Sequence, residues 1–398
     1  MMNAHPEISF ATDPYRPFFN DFRDALAERA GLLDEDHRQA PLASYFCDDD
    51  ELSIMKLVQG SDMNLAIPPD RLKYLIPVIA QRAVEAVPVR PIIADRMDRL
   101  QGRTYKELYE SMMALVGVCY GKKDARLVGM KEVWCTEFIR PLIQTSPGMK
   151  CLVIVRDPRA VFASNHAQNQ GTERYPWLFL VRQWRKLVTF ASLFSTDPSL
   201  KDSVLVLRYE DLVSNPGETG QEICSFLGVN YSEDMIDARK FKDGAGKAWR
   251  QNSSHGTSEK ITKTFTEKWK EVLNEAEVKL IEKLCYPEMR LFGYEPIHQD
   301  SKEIGLNDVW NPLIIPKSEL ALWIRKYANT DLMFNVAEMM KEYSRKRLLA
   351  SPQSEVSRLD LRIIEAFYLD RRHFEDLRSG KKQWGPGGVN LVSQAQSE

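Results

Sequence analysis

No stretch of about 18 or more apolar residues occurs in the sequence, so no segment reads as a membrane-spanning helix. The first thirty residues, MMNAHPEISFATDPYRPFFNDFRDALAERA, lack the basic and apolar blocks of a secretory leader. Cysteine is sparse. Cys47, Cys119, Cys135, Cys151, Cys224 and Cys285 are scattered without a C-x-x-C pair, which excludes a disulfide framework and a zinc-site spacing. A surplus of one charge is missing too: 54 Lys and Arg stand against 56 Asp and Glu, a formal net charge of −2. Nothing global draws the chain to nucleic acid or an anionic membrane, so an anion must be met by a local basic cluster. What is present is ordinary globular usage, 43% hydrophobic and 28% charged over 398 residues, enough for one large domain or two to three smaller ones. As written, the chain is expected to be cytoplasmic and unanchored.

Residues 16 to 31, 69 to 87 and 104 to 120 carry apolar residues at helical spacing, so the first third is expected to be mostly helical. The pattern then alternates. RLVGMK at 126 to 131 reads as a short strand, CLVIVR at 151 to 156 as a buried strand and SVLVLR at 203 to 208 as a third, apolar strand. Helices are expected at 134 to 144, from Pro158 onward, at about 176 to 195 and in NPGETGQEICSFLG, which Pro starts and Gly stops. Strands alternating with helices predict an open α/β sheet of parallel strands, with its ligand crevice at their carboxyl ends. From about residue 300 the pattern is helical again, in ELALWIRKYA and MFNVAEMMKEYSRKRLL, and the residues after 378 are polar and expected to be disordered. No internal repeat is present.

The strongest chemical signal is CLVIVRDPRAVFASN, residues 151 to 165. A buried strand ends in Arg156, Asp157 can cap the following helix and Pro158 sits in its first turn. Guanidinium and free helix-start N–H groups then point the same way, an arrangement suited to a phosphate. Ser164 lies about two helical turns on, where its hydroxyl adds a donor. The competing reading is a capped helix whose Arg156 pairs with a neighbouring carboxylate.

This stretch resembles the 3′-phosphate-binding motif of the sulfotransferases that use 3′-phosphoadenosine 5′-phosphosulfate (PAPS), in which the arginine ending the strand and the serine of the helix hold the 3′-phosphate. The resemblance assigns these roles to Arg156 and Ser164. LRYEDLVSNPGETGQEICSFLGV, 207 to 229, is similar to the family's next strand, turn and helix, with Tyr209 as a candidate cofactor contact and Glu210 and Asp211 as capping residues. GKAWRQNSSHG, 246 to 256, resembles the loop that closes over the nucleotide and offers Lys247, Arg250, Asn252, Ser253 and Ser254. Residues 265 to 296 look like the family's terminal helix and Gly-Tyr turn. GAGKA at 244 to 248 lacks the leading glycine spacing and the Ser/Thr of a nucleotide P-loop.

The departure is at the start. The family's first strand and its G-x-x-R-S-G-T-T loop, which binds the 5′-phosphosulfate, have no counterpart here, and NAHPEISF at 3 to 10 resembles the His-Pro turn and second strand that follow them. Loss of the N-terminal strand, loop and helix is the expected explanation. In related carbohydrate sulfotransferases a catalytic glutamate follows the His-Pro turn, which points to Asp13 as base; Lys131 and Glu132, at the end of a predicted strand, resemble a lysine-glutamate of the same enzymes. Turn formation for Asp13 and an ion pair for Lys131 are the bland alternatives. His166 and His255 have no partner pattern for metal or triad chemistry.

The resulting expectation is an α/β, P-loop-type three-layer domain over residues 1–298 without its first strand, a helical C-terminal extension over 299–377 and a tail over 378–398. Its implied activity is sulfuryl transfer from PAPS, without a metal, to a hydroxyl or amine of a small-molecule or carbohydrate acceptor, with no nucleic-acid partner and homo-oligomerisation left open. A non-catalytic nucleotide-binding or scaffold protein is the alternative, and a phosphoryl-transfer enzyme of related fold a weaker one. The Golgi lumen stays open as a location if an anchor was lost with the N-terminal segment.

Overall fold

The computed structural model describes residues 1–33, 49–85, 89–167, 175–249, 261–314, 332–351, 364–365 and 367–380. Its elements in chain order are β1 (Ile8–Thr12), α1 (Arg16–Arg29), α2 (Asp49–Gln59), α3 (Pro69–Glu85), α4 (Tyr105–Tyr120), β2 (Leu127–Lys131), α5 (Ile139–Thr145), β3 (Cys151–Val155), α6 (Pro158–Ala167), α7 (Trp177–Thr196), β4 (Val204–Arg208), α8 (Tyr209–Ser214), α9 (Pro216–Leu227), α10 (Trp269–Val272), α11 (Glu275–Cys285), α12 (Glu288–Leu291), α13 (Leu306–Val309), α14 (Leu332–Ala350) and α15 (Arg371–Arg378), with short 3-10 turns between them. The α/β class and all three strand positions read from the sequence are present. The chain divides into two interleaved compact units: 1–41, 56–151 and 212–262 form the first, 42–55, 152–211 and 263–398 the second. No helix among the described residues is long and apolar enough to cross a membrane.

In the first unit β1 and β2 pair in parallel, from Ile8 beside Leu127 to Thr12 beside Lys131. Phe10 faces Gly129, where a Cβ would lie 3.1 Å from the Phe10 ring; a side chain there would have to displace it. Helix α4 starts at Thr104, whose hydroxyl accepts the Glu107 N–H at 3.2 Å. It buries Tyr105, Leu108, Tyr109, Met112 and Leu115, the three-and-four spacing that also made it legible. Phe18, Phe19 and Phe22 of α1 pack on that face, and Tyr105 and Phe138 complete the ring cluster. Pro216 starts α9, and Gly228 at φ 72 ends it in the left-handed region that a Cβ disfavours. The helix read at 134 to 144 begins later, as a 3-10 turn from Thr136, because Trp134 takes φ 59.

The second unit holds the β3–β4 pair. Helix α7 is buried almost all round, which places Arg182 and Arg185 at 0% exposure. Charges so enclosed require partners. The α14 carboxylates supply them: Glu342 accepts Arg185 at 2.6 and 2.8 Å and Arg182 at 3.2 Å, and Glu338 also accepts Arg182. Arg345 turns back to Glu288 at 2.7 Å and to the Leu284 carbonyl at 2.8 Å. The terminal helix read across 265 to 296 is instead three helices, α10 to α12; Asn274 starts the second with a reciprocal capping box to Glu277, and Pro287 separates the last two. ELALWIRKYA and most of the tail after 378 lie outside the described residues.

Candidate functional site

Arg156 follows β3 directly and leads into α6. Asp157 caps that helix as expected, its carboxylate accepting the Arg159 N–H at 2.8 Å. The Arg156 carbonyl accepts the indole N–H of Trp184 at 2.8 Å, so α7 fixes the backbone from which the guanidinium departs. That guanidinium lies over the Tyr209 ring, 4.5 Å from its centroid, and its Nη2 reaches the Phe265 carbonyl at 3.4 Å. Its Nε is buried and has no acceptor among the described residues. The carboxylate pairing weighed for Arg156 falls to Arg159 instead: Arg159 meets Asp157 at 2.7 Å and Glu282 at 2.8 Å and lies over Trp269.

Arg156 and Tyr209 therefore share one strand-end neighbourhood, and Ser164 lies half-buried on α6. Glu210 has the structural role expected of it. One oxygen accepts the Asp157 N–H at 3.1 Å and the other the Tyr294 hydroxyl at 2.6 Å, and burial raises its pKa. Tyr294, of the Gly-Tyr turn, and Trp184 thus support this site; their sequence signal was only aromatic residues in otherwise structural segments. Asp211 lies 3.7 Å from Arg208.

Lys247 sits in an exposed turn. Asp243 Oδ1 accepts the N–H groups of Ala245 at 2.9 Å and Lys247 at 3.0 Å, so the donors of GAGKA are taken by an Asx-type turn. Arg250, Asn252, Ser253, Ser254 and His255 lie outside the described residues, as does the side chain of His166.

A second cluster forms in the first unit where β1 and β2 end. Lys131 Nζ holds both oxygens of Asp13, at 2.9 and 2.8 Å. The Asp13 N–H donates to the Lys131 carbonyl at 2.7 Å, and the Tyr15 N–H to the Glu132 carboxylate. Burial, then the nearby Asp13 charge, push the Glu132 carboxyl up to about 8. His5 of the His-Pro turn is buried; its Nδ1 accepts the Glu7 N–H at 3.0 Å and its Nε2 donates to the Asn230 carbonyl at 2.7 Å.

The strand β3, the arginine at its carboxyl end and the capped helix α6 beyond it are an α/β arrangement. Residues 138–293 match the family model described as "Sulfotransferase domain". "Carbohydrate sulfotransferase 3" of Tetronarce californica is 30% identical over 177 residues, 40% of this chain and 39% of that protein. "Carbohydrate sulfotransferase 5" of Mus musculus is 25% identical over 213 residues, 48% of this chain and 53% of that one. The chain thus spans about half or less of the length of these relatives. Among solved structures, "Sulfotransferase Domain from the Curacin Biosynthetic Pathway" aligns over 68% of this chain and 93% of its own, at 16% identity and a TM-score of 0.33.

Proposed function

We propose that the protein transfers a sulfuryl group from PAPS to a hydroxyl or amine of a carbohydrate or small-molecule acceptor. The observation that carries this reading is the Arg156 guanidinium, set at the end of β3 with an Nε–H that is buried and has no acceptor among the described residues, inside the stretch that matches the sulfotransferase family model. A buried donor without a partner costs about 1 to 3 kcal/mol, which a bound phosphate oxygen recovers. The donor set fits that ligand: Arg156 and the Ser164 hydroxyl hold the 3′-phosphate, and the Tyr209 ring keeps the guanidinium in place. Lys247, Arg250, Asn252 and Ser253 are further nucleotide contacts on this reading.

In the transfer the acceptor oxygen bonds to sulfur as the bond from sulfur to the 5′-phosphate oxygen breaks, and adenosine 3′,5′-bisphosphate leaves. The Asp13 carboxylate takes the acceptor proton, and Lys131 holds that carboxylate while adding positive charge where negative charge spreads. Positioning and charge neutralisation do most of the work in such a transfer, as in phosphoryl transfer. The test is release of adenosine 3′,5′-bisphosphate from PAPS across a panel of sugar alcohols, amino sugars and phenols. Acceptor-dependent release supports the reading; tight nucleotide binding with no release for any acceptor favours the nucleotide-binding or scaffold alternative.

A further inference from the structure

Asp13 has a backbone conformation that few non-glycine residues adopt, although aspartate tolerates it better than most. Its φ is +51, in the left-handed region where an L side chain crowds the backbone. A non-glycine residue stays there only when its surroundings hold it. Two restraints are bonds to Lys131, from the Asp13 N–H to its carbonyl and from its ammonium to the carboxylate. Neither reaches past Asp13. Pro14 follows and has no N–H, so the next backbone donor able to fix the exit of the turn is that of Tyr15. That donor goes to Glu132, the residue after Lys131 on the opposite strand. The Tyr15 ring is itself fully buried, its hydroxyl donating to the Met112 carbonyl at 2.8 Å.

Glu132 is a costly choice for that acceptor. Its Oε2 is out of contact with solvent and has no hydrogen-bond partner among the described residues, although the residue as a whole is only half-buried. A backbone carbonyl or an asparagine would leave less unsatisfied. Lys131 meanwhile keeps a side chain 48% exposed, so its own hold on Asp13 is weak.

We infer that Glu132 is a positioning residue for Asp13: by accepting the Tyr15 N–H it closes the Asp13–Pro14–Tyr15 turn and keeps the Asp13 carboxylate on Lys131, facing the acceptor. This rests on the proposed sulfuryl transfer for its catalytic meaning, but the geometric part is measurable without turnover. The first readout is the rate at which an amine-acylating reagent labels Lys131 in the full chain, followed by mass spectrometry with Lys122 as internal reference. Asp13→Asn removes the carboxylate partner and should speed Lys131 labelling about two- to fivefold, as expected for an exposed ion pair. Glu132→Met, close in volume but without an acceptor, should approach that rate. Glu132→Gln keeps an acceptor oxygen and should return labelling toward wild type.

The second readout is kinetic. Glu132→Met should lower kcat about ten- to a hundredfold with little change in KM for PAPS, and Glu132→Gln should recover most of the loss. Wild-type Lys131 labelling in Glu132→Met overturns the inference, and so does a Glu132→Gln variant as impaired as Glu132→Met, which would make charge rather than the hydrogen bond responsible. If Glu132→Met does not fold, Glu132→Gln and Pro14→Ala carry the labelling test: slow Lys131 labelling in Glu132→Gln supports the inference and fast labelling overturns it. A wild-type protein inactive with every acceptor overturns the proposed function, while the labelling still decides the clamp.

Discussion

Two groups of arginines in the second unit are treated in opposite ways. Around Glu342, Arg182, Arg185 and Arg345 are enclosed at 0% exposure and their guanidinium groups are bound to α14 carboxylates, Glu288, a hydroxyl and main-chain carbonyls. Burial by itself would raise the Glu342 pKa, yet Arg185 and Arg182 hold it well below the usual carboxylate range. At the end of β3, Arg156 has an aromatic ring and one long contact to a carbonyl, and no carboxylate partner among the described residues. Removing an arginine from the first group leaves a carboxylate buried and uncompensated, whereas removing Arg156 leaves no carboxylate behind among the described residues. Structure should therefore depend on one group and ligand affinity on the other.

The largest effect should come from the enclosed group. Arg345→Met strands Glu288 and weakens the hold on Glu342, and should cost about 3 to 5 kcal/mol in urea unfolding. A loss below 1 kcal/mol would show that the network relaxes around the gap.

Next is the pH dependence of Glu132, which contrasts a carboxyl held up with Glu342, a carboxyl held down. Around it stand Asp13, the Lys131 ammonium, the Tyr15 N–H and Arg82 of α3. A carboxyl raised in the folded state from 4.5 to about 8 gives stability that is complete below about pH 4.5 and is lost as pH rises through about 8. Wild type should lose about 2 to 3 kcal/mol more than Glu132→Gln between pH 6 and 9, at 1.36 kcal/mol per unit. Parallel pH curves for the two proteins would mean that this carboxyl titrates normally.

Arg156→Ala should weaken adenosine 3′,5′-bisphosphate binding about ten- to a hundredfold by titration calorimetry. Its unfolding free energy should change by about 1 kcal/mol or less, because the substitution strands no buried carboxylate among the described residues. Equal affinities would remove Arg156 from the nucleotide site. A smaller structural effect is expected at the α11 start, where Asn274→Ala deletes the capping box and should cost about 1 kcal/mol. Smallest of all, Asp13→Asn should leave nucleotide affinity unchanged, because a base acting on the acceptor makes no contact with the 3′-phosphate; a tenfold loss in the same calorimeter would reassign it.

Local chemistry made much of this molecule legible in the sequence. The apolar spacing of α4, the Pro and Gly that bound α9, the Asp157 cap and the run of Cys151–Val155 each follow from interactions within a few residues, and the structure contains them. The same locality put Arg156 at a strand end, where the sulfotransferase resemblance gave it a ligand. Breaks that depend on a single dihedral were not visible: Trp134 at φ 59 delays the helix expected from residue 134, and nothing in its neighbours requires that conformation.

Partner choice belonged to the tertiary structure alone. Arg156 and Arg159 are three residues apart and equally able to pair with a carboxylate, yet Glu282, 123 residues beyond Arg159, settles the matter by meeting only that one. Asp13 and Lys131, 118 residues apart, were separate candidates until the parallel register of β1 and β2 brought them to the same sheet end. Sequence fixes which groups can carry charge and which segments can form an element, because those are properties of residues and near neighbours. Which charge is answered and which is left open depends on contacts across a hundred residues or more, and only the folded chain makes those.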